Sequence, residues 1–283
     1  MIIWLASYPK SGNTWLRSIL SSLLYSKDGI FDFEHIYKIG QFPTRKYFEP
    51  FTKSYQDIHE LKKYWIPAQD LISLKNKVTF LKTHHINCKV DNYNFTNADN
   101  TLATIYIVRD PRNLVNSFTN HYSMDKDKAT RFLVHQTPTF ASGHMDVEEK
   151  DNNIFTLISC WKDHYVSWTR NNQKLLVIRY EDLSKDINKE ILRIVDFLKE
   201  FVKFDLKDKK IENIIKTTQF ENLKKLEEKD GFKESPRDKE GKLINKRFFY
   251  LGKENKWEKY LDEKNRMEIE TKLKDLMEEL KYL

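Results

Sequence analysis

The strongest constraint on the fold lies at the start of the chain, where a short polar turn separates two apolar patterns. Met1 to Ala6 reads MIIWLA, a continuous apolar run typical of a buried strand. From Trp15 to Leu24 the apolar residues recur every three or four positions, which predicts one face of a helix. Asn13 and Thr14 stand where helix N-cap residues belong. The stretch SYPKSGNTWLRSIL, residues 7–20, is therefore predicted to form strand, tight turn and helix.

This turn has the features of an anion-binding loop. The N-terminus of the helix directs backbone N–H groups and the positive end of the helix dipole at one point. Lys10 adds a positive charge, and Ser11 and Thr14 add hydroxyl donors. Gly12 lets the backbone approach a ligand closely. The usual nucleotide-binding loop has two glycines that flank four residues, followed by a lysine. Here the lysine precedes the glycine, so a plain strand-to-helix connection with a surface lysine remains an alternative.

Further along the chain, apolar runs alternate with helical patterns. Three runs predict strands: VTFLKTHH from Val78, TLATIYIV at 101–108 and LLVIRY at 175–180. Helices are predicted from Pro111, which suits an early helical position, and over residues 161–168. This order predicts an α/β fold with a central parallel sheet that helices cover on both faces. Because we find no repeat and no linker, we expect a single domain over residues 1–283.

Four other segments carry weaker expectations. Residues 31–65 are irregular and rich in aromatic side chains, which predicts core and loop packing for most of them and an acceptor pocket as the alternative. Residues 125–153 and 231–246 are expected to be mobile, the second as a polar surface loop. The segments 125–153 and 231–249 are, with 31–65, the candidate acceptor loops. The last helix is expected from Asp262 to Leu280, with one apolar face.

Composition limits the classes of function. The chain has 283 residues, 49 of them Lys or Arg and 42 Asp or Glu, so a modest excess of positive charge favours anionic ligands or simply solubility. No nucleic-acid-binding signature and no metal-ligand spacing is present, so neither partner is expected. Cys88 and Cys160 cannot form a disulfide framework. Without a signal peptide or a membrane-length apolar run, we expect a cytoplasmic protein, with its oligomeric state left open.

Two polar clusters follow predicted strands. The second strand ends in Lys82-Thr83-His84-His85, and side-chain alternation places Lys82 and His84 on one side and Thr83 and His85 on the other. Ligands of open parallel sheets bind at the carboxyl ends of strands, so the lysine and a histidine are candidate ligand-contacting residues. The plainer interpretation is a histidine that caps the following loop and a solvated lysine.

The third strand runs into VRDPRNLVNS, residues 108–117. Arg109 closes the strand, and Ser117 lies two turns into the following helix. The forked guanidinium and the hydroxyl can bind the same anion. A surface ion pair between Arg109 and Asp110 is the alternative.

These motifs, taken in order, resemble one family. The order of YPKSGNTW, KTH, VRDPRNLVNS, RYEDL and a late G-x-x-x-x-W resembles the sulfotransferases that use 3′-phosphoadenosine 5′-phosphosulfate (PAPS), from Tyr8 to about Trp257. The resemblance implies a P-loop-like fold and transfer of a sulfuryl group from PAPS to a hydroxyl or amine of a small-molecule, lipid or sugar acceptor. A P-loop-like nucleotide kinase and a non-catalytic nucleotide-binding protein remain as alternatives.

The resemblance also implies a role for each matching residue. The family's first loop grips the 5′-phosphosulfate, which here corresponds to Lys10, Ser11, Gly12, Asn13 and Thr14. The family's adenine-contacting positions match Trp15, Phe220 and Tyr180, with Phe220 on the opposite face of the base from Trp15, and Thr218 matches a nearby nucleotide-contacting position. Arg109 and Ser117 match the pair that binds the 3′-phosphate. His84 matches the catalytic base, and Lys82 matches the lysine beside the transferring group.

The chain departs from the family at one place. The family commonly has Arg-Lys-Gly before its late tryptophan, where this chain has Tyr250-Leu251-Gly252 followed by Lys253. Gly252 and Lys253 are therefore candidate cofactor residues. Either Arg247 or Lys253 replaces the missing cations, or Arg109 and Ser117 hold the 3′-phosphate. Lys256-Trp257 also replaces the more frequent Asp-Trp.

Overall fold

A parallel sheet forms the centre of the protein. The computed structural model describes residues 1–74, 77–135, 154–170, 174–204, 206–235 and 247–283. Within these ranges five strands form the sheet: β1 (Ile2–Ser7), β2 (Gly40–Gln41), β3 (Thr79–Thr83), β6 (Thr101–Val108) and β7 (Leu175–Arg179). Their order is β2-β3-β1-β6-β7, and every neighbouring pair is parallel. A separate antiparallel hairpin joins β4 (Lys89–Val90) and β5 (Tyr93–Asn94).

Helices precede, connect and follow these strands. Those before β3 are α1 (Asn13–Tyr25), α2 (Phe33–Ile36), α3 (Arg45–Phe48), α4 (Ile58–Leu61) and α5 (Trp65–Ser73). Between β6 and β7 lie α6 (Pro111–Tyr122), α7 (Lys126–Val134) and α8 (Trp161–Thr169). After β7 come α9 (Tyr180–Lys185), α10 (Ile187–Leu198), α11 (Asp208–Thr217), α12 (Phe220–Asp230), α13 (Trp257–Tyr260), α14 (Glu263–Lys272) and α15 (Lys274–Glu279).

The central strand β1 divides the core into two parts. Its six residues are all buried, and their side chains alternate between the two faces of the sheet. Ile2 and Trp4 pack on the face that carries α5–α8, α14 and α15. Ile3 and Leu5 pack on the face that carries α1 and α9–α12. A strand buried on both faces needs a continuous apolar run, which is what MIIWLA supplies. The predicted α/β architecture is confirmed.

Several predicted boundaries are corrected. Helix α1 begins at Asn13 as expected, but its N-cap is Gly12, with a left-handed φ of 104°, so the assignment of Asn13 and Thr14 as N-cap residues is wrong. The Asn13 amide instead donates to the carbonyl of Leu5, which ties the helix to β1. Tyr180 begins α9 and does not end β7.

The expected C-terminal helix from Asp262 to Leu280 is two helices. Asp262 is the N-cap of α14, and its carboxylate accepts from the Asn265 N–H. The helix is interrupted at Leu273, a buried residue whose φ is −111°. Because Leu273 is a good helix former, nothing in the local sequence signals this break.

The segments expected to be irregular are more ordered than predicted. Residues 126–134 form α7, whose N-cap Asp125 accepts from the Lys128 N–H; residues 136–153 lie outside the described part of the chain. In the expected surface loop, Phe232 and Glu234 are buried, and residues 236–246 also lie outside the described part. Within 31–65 the structure buries five aromatic side chains in the core: Phe31, Phe33, Phe42, Phe48 and Trp65.

None of the helices in the described ranges is long and apolar enough to cross a membrane.

The segment after β6 is locked by a buried carboxylate. Asp110 is the N-cap of α6 and accepts from the Arg112 N–H at 2.9 Å. The Arg112 guanidinium returns to the same carboxylate at 2.7 Å and also donates to the carbonyl of Tyr282 at 2.6 Å. Asp110 therefore pairs with Arg112 and not, as the alternative had it, with Arg109 at the surface.

We expect Asp110→Ala to lower the free energy of unfolding by roughly 2–3 kcal/mol, because the change removes the cap of α6 and one of the two carboxylates that pair with the buried Arg112, which keeps Glu270 at 2.6 Å. Asp186→Ala is the matched control, since Asp186 is an exposed N-cap of α10 without such a pair, and we expect a loss of about 1 kcal/mol. Urea titrations of both variants test this. Equal losses would show that Asp110 acts as a cap alone.

Candidate active site

A cavity opens where the parallel strands end. β1, β3, β6 and β7 are followed by the Tyr8–Gly12 turn, His84, Arg109 and Tyr180, which meet at one edge of the sheet. Twelve of the predicted site residues line this cavity: Lys10, Gly12, Asn13, Thr14, Trp15, Lys82, His84, Arg109, Ser117, Tyr180, Phe220 and Gly252. Among the described residues, the lining does not include the predicted Ser11, Thr218 and Lys253.

The turn after β1 is held by a buried tyrosine and a glycine. The Tyr8 hydroxyl donates to the carbonyls of Phe132 and Ser159, at 3.0 and 3.3 Å. A Cβ at Gly12 would lie 2.6 Å from a ring carbon of Tyr180, and φ there is left-handed. Gly12 is therefore required by the close approach of the Tyr180 ring.

The two polar side chains of the turn lie in different surroundings. The Lys10 ammonium lies 3.9 Å from the centroid of the Phe248 ring at the cavity wall, and Lys10 itself has a left-handed φ of 65°. The Ser11 hydroxyl is buried, and among the described residues it has no hydrogen-bond partner. Such groups are costly in a folded protein, so they mark positions where a ligand or water completes the bonding.

His84 is fixed by β1. Its Nδ1 lies 2.8 Å from the carbonyl oxygen of Ser7 and 3.1 Å from the Ser7 hydroxyl. Because a carbonyl only accepts, Nδ1 carries the proton, and Nε2 is left with a lone pair. The Asn13 amide donates to the same hydroxyl at 3.1 Å. Burial, and then the Lys82 charge, lowers the pKa of His84 to about 3, so the ring is neutral at pH 7.

A second buried histidine supports the first. His164 donates through Nε2 to the carbonyl of His84 at 3.0 Å, and its Nδ1 lies 2.8 Å from the Tyr106 hydroxyl. His85 lies on the other side of the strand, with its ring stacked 4.1 Å from Phe95. His84 lines the cavity and His85 does not. The placement of the two histidines agrees with the alternation predicted from the sequence.

Arg109 leaves β6 and stacks on the first residue of α9. Its guanidinium carbon lies 3.9 Å from the centroid of the Tyr180 ring, and Nη2 donates to the Gly252 carbonyl at 3.5 Å. The Arg109 Nε is buried and has no hydrogen-bond partner among the described residues. The cation is thus held in place by an aromatic face while part of its donor set remains available.

Ser117 belongs to an amide network that the sequence did not reveal. Asn255 donates through Nδ2 to the Ser117 hydroxyl at 3.1 Å and to the Asn113 carbonyl at 2.8 Å. The proposed substitute cations lie elsewhere. Arg247 is half-exposed and pairs with Glu228, while Lys253 is exposed.

The aromatic residues predicted to hold a base, Trp15, Tyr180 and Phe220, lie in the cavity wall. The Trp15 indole N–H donates to the Thr218 carbonyl at 2.7 Å, and Thr218 itself is fully buried. Thr218 therefore lies behind Trp15. Phe220 packs against Gly252, where an added Cβ would lie 2.6 Å from its ring.

The segment 231–249, predicted as an acceptor loop, contributes Glu234, Ser235, Phe248 and Phe249 to the lining, although none of them was singled out from the sequence. Sequence reasoning missed the other lining residues: Asn116, Asn120, His121, Tyr122 and Asn255. Glu234 is the most unexpected, because it places a carboxylate beside Lys82, at 3.7 Å, in a cavity otherwise rich in cations. Burial, and then the Lys10 charge, lowers the pKa of His121 well below its usual value. The local sequence around Glu234 reads as a polar loop and carries no signal of burial.

The first strand of the sheet leads through a Lys-Ser-Gly turn into a helix. The adjacent strands bring a histidine and an arginine to the same cavity. This arrangement defines a P-loop-like α/β protein with an anion-binding site. The family model described as Sulfotransferase domain matches residues 2–281. The chain belongs to the sulfotransferase family.

Its relatives are distant. The amine sulfotransferase of Oryctolagus cuniculus is 25% identical over 225 residues, which cover 78% of this chain and 62% of that protein. Sulfotransferase 1E1 of Rattus norvegicus is 26% identical over 77% of this chain and 64% of that protein. The flavonol 3-sulfotransferase of Flaveria bidentis is 24% identical over 91% of this chain and 76% of that protein. The match thus spans less than two thirds of the two mammalian relatives.

Solved structures share the fold. Mouse sulfotransferase SULT7A1, complexed with PAP, superposes with a TM-score of 0.56 at 19% identity, covering 97% of this chain and 83% of that one. Retinol dehydratase, in complex with androsterone and inactive cofactor PAP, gives a TM-score of 0.60 at 18% identity, covering 98% and 80%.

We expect stability to fall as the pH drops from about 6.5 towards about 3. Burial lowers the pKa of His84, His85 and His164 to about 3, so the folded protein keeps these rings neutral while the unfolded chain protonates them below about 6.5. Each ring then removes up to roughly 1.4 kcal/mol of unfolding free energy per pH unit in this window.

Urea titrations between pH 7.5 and 5 measure the slope for the wild type and for His85→Phe, which keeps an aromatic ring against Phe95. The unfolding free energy of the variant should fall less steeply with decreasing pH, by the contribution of one histidine, which is at most roughly 1.4 kcal/mol per pH unit. An unchanged slope would contradict the neutral burial of His85.

Proposed function

We propose that this chain transfers a sulfuryl group from PAPS to a hydroxyl or amine of a small-molecule, lipid or sugar acceptor, with His84 as the base. One observation carries the proposal: a single cavity unites the Lys10 turn, a neutral His84 with Nε2 left for chemistry, and a buried Arg109. Membership of the sulfotransferase family supports the same reaction. We treat residues 1–283 as one such domain.

The residues of the cavity fit this nucleotide. Arg109 has a buried Nε that lacks a partner among the described residues, which suits a phosphate oxygen. Trp15 and Phe220 offer apolar ring faces to a base. The N-terminus of α1 and Lys10 supply positive charge to the 5′ end. Thr218 acts on the ligand only indirectly, because its carbonyl accepts from the Trp15 indole N–H and so orients that ring.

PAPS, when bound, supplies the sulfuryl group and keeps the oxygen that bridges sulfur and phosphorus. Lys10 stabilises the negative charge that develops on that oxygen, together with the backbone N–H groups of the turn. Lys82 offsets charge on the sulfuryl oxygens. His84 accepts the proton of the acceptor at Nε2, because its Nδ1 proton is committed to Ser7.

Arg109 and Ser117 are the favoured ligands of the 3′-phosphate. Arg247 is paired with Glu228, and Lys253 is exposed and lies outside the lining. Ser117 is oriented by Asn255, whose amide donates to its hydroxyl. The substitution of Tyr250 and Leu251 for the family's two cations then leaves Arg109 as the main charge at this end.

Acceptor recognition falls to residues near the cavity mouth. The described residues of 31–65 contribute nothing to the lining, whereas His121 and the pair Phe248 and Phe249 do. Aromatic walls with a neutral imidazole suit an acceptor with an apolar body.

Cys88 and Cys160 are both free thiols, which supports the proposed cytoplasmic location.

The two other functions have direct tests. A kinase would consume ATP and require magnesium. A non-catalytic protein would bind PAP without transferring sulfate to any acceptor. A screen of phenols, alcohols, amines and sugars with labelled PAPS separates these functions and provides an acceptor for the kinetic tests.

We expect His84→Ala to reduce kcat by about a hundred- to ten-thousand-fold, because the acceptor proton loses its base. The affinity for PAP, measured by calorimetry, should stay near that of the wild type, since the 5′ and 3′ ends are held by other residues. Undiminished turnover would remove His84 from this role and point to another titratable group of the lining, such as His121.

We expect Arg109→Met to weaken PAP binding by roughly ten- to a hundredfold, because a charge-assisted contact to the 3′-phosphate is lost. Binding of AMP, which lacks that phosphate, should change little. Arg247→Met is the matched control and should bind PAP as the wild type does. Equal losses for PAP and AMP in Arg109→Met would place the guanidinium elsewhere on the nucleotide.

A further inference from the structure

A buried carboxylate lies in the wall of a cavity that we assign to a polyanion. Glu234 is 7% exposed, and its two oxygens have different partners. Oε1 lies 2.5 Å from the Arg17 guanidinium. Oε2 accepts from the Thr14 hydroxyl at 3.2 Å and lies 3.7 Å from the Lys82 ammonium. The carboxylate thus bridges helix α1 and the end of β3.

Arg17 fixes this carboxylate. Its side chain is 5% exposed, and Nη2 also reaches the carbonyl of Ile36 at 3.5 Å. Neighbouring residues of the same segment are anchored too, since Phe232 stacks on Phe33 at 4.6 Å and the Ser235 hydroxyl donates to Glu227 at 2.6 Å. A carboxylate held by a buried guanidinium within an anchored segment has one orientation.

Lys82 and Thr14 depend more on such an anchor. A lysine ammonium is a compact charge on a flexible stem, and a threonine hydroxyl rotates to suit its surroundings. The proposed function directs the Lys82 ammonium towards the sulfuryl oxygens of the donor, and Thr14 belongs to the loop that the resemblance assigns to the 5′-phosphosulfate. The Glu234 carboxylate repels an anionic donor bound beside it, which weakens donor binding. The orientation of Lys82 and Thr14 compensates for this disadvantage.

We propose that Glu234 is a positioning residue for sulfuryl transfer, which holds the Lys82 ammonium and the Thr14 hydroxyl in the orientation that the transferring group requires. This inference rests on the proposed function. It predicts a specific split: loss of the Glu234 charge lowers kcat, whereas the affinity for PAP, which carries no sulfuryl group, is unchanged or higher.

The test compares Glu234→Gln with Asp230→Asn, which removes the same charge from a partly exposed side chain in the same region. We expect Glu234→Gln to lose at least about tenfold in kcat, because small displacements of catalytic groups have effects of this size. Its Kd for PAP should be equal to or lower than that of the wild type. Asp230→Asn should match the wild type in both.

A second variant and a double-mutant cycle with Lys82→Ala test the inference independently. Glu234→Asp keeps a charge near Arg17 with a shorter reach, so it should fold and show an intermediate kcat. In a Lys82→Ala background, Glu234→Gln should cause less than half of its loss on a logarithmic scale, because the positioned group is gone.

The opposing outcomes are distinct. A higher kcat/KM in Glu234→Gln would show that the carboxylate obstructs the donor. Equal losses of kcat and PAP affinity with a lower Tm would show a structural role alone. Full additivity with Lys82→Ala would also overturn the inference. Failure of the wild type to bind PAP would instead refute the proposed function.

Discussion

The hydrogen bond between His84 Nδ1 and the carbonyl oxygen of Ser7 is the contact on which the site depends. It joins the ends of β3 and β1, and the Asn13 amide extends it to the first helix through the Ser7 hydroxyl. It also fixes the tautomer, since a carbonyl cannot donate. A pKa of about 3 makes His84 a weak base in the ligand-free protein. In the proposed reaction, an anionic donor beside the ring favours the imidazolium, so binding of the donor would raise the basicity of His84.

The cavity gathers cations that repel each other. Lys10 and Arg109 follow the ends of β1 and β6, and Lys82 is the last residue but one of β3, so the parallel topology brings three positive charges to one edge. Each is moderated by a neighbour: Arg109 by the Tyr180 ring, Lys10 by the Phe248 ring and Lys82 by the Glu234 carboxylate. An anionic ligand relieves this concentration of charge, which makes the site selective for anions without a rigid cage.

The features that the sequence predicted correctly are those that a local pattern of residues determines. β6 and α6 were placed at their observed first residues, because a continuous apolar run and a proline at N1 are local signals. Side-chain alternation separated His84 from His85. Contacts between distant segments were missed: Glu234 lies 217 residues from Arg17, in a stretch that reads as polar loop. Asn255 was missed for the same reason, since an amide gives no sign of which distant hydroxyl it orients.

The 3′-phosphate end of the proposed site has one cation where the family commonly has more. With Tyr250 and Leu251 in place of the family's two cations, the proposed binding depends on the orientation of Arg109 more than on the number of charges. The Tyr180 ring lies 3.9 Å from the guanidinium, and a Cβ at Gly12 would collide with that same ring. The turn that we propose for the 5′ end and the guanidinium that we propose for the 3′ end therefore share one tyrosine. A change at Gly12 displaces this ring, so we expect it to disturb both ends of the proposed nucleotide site.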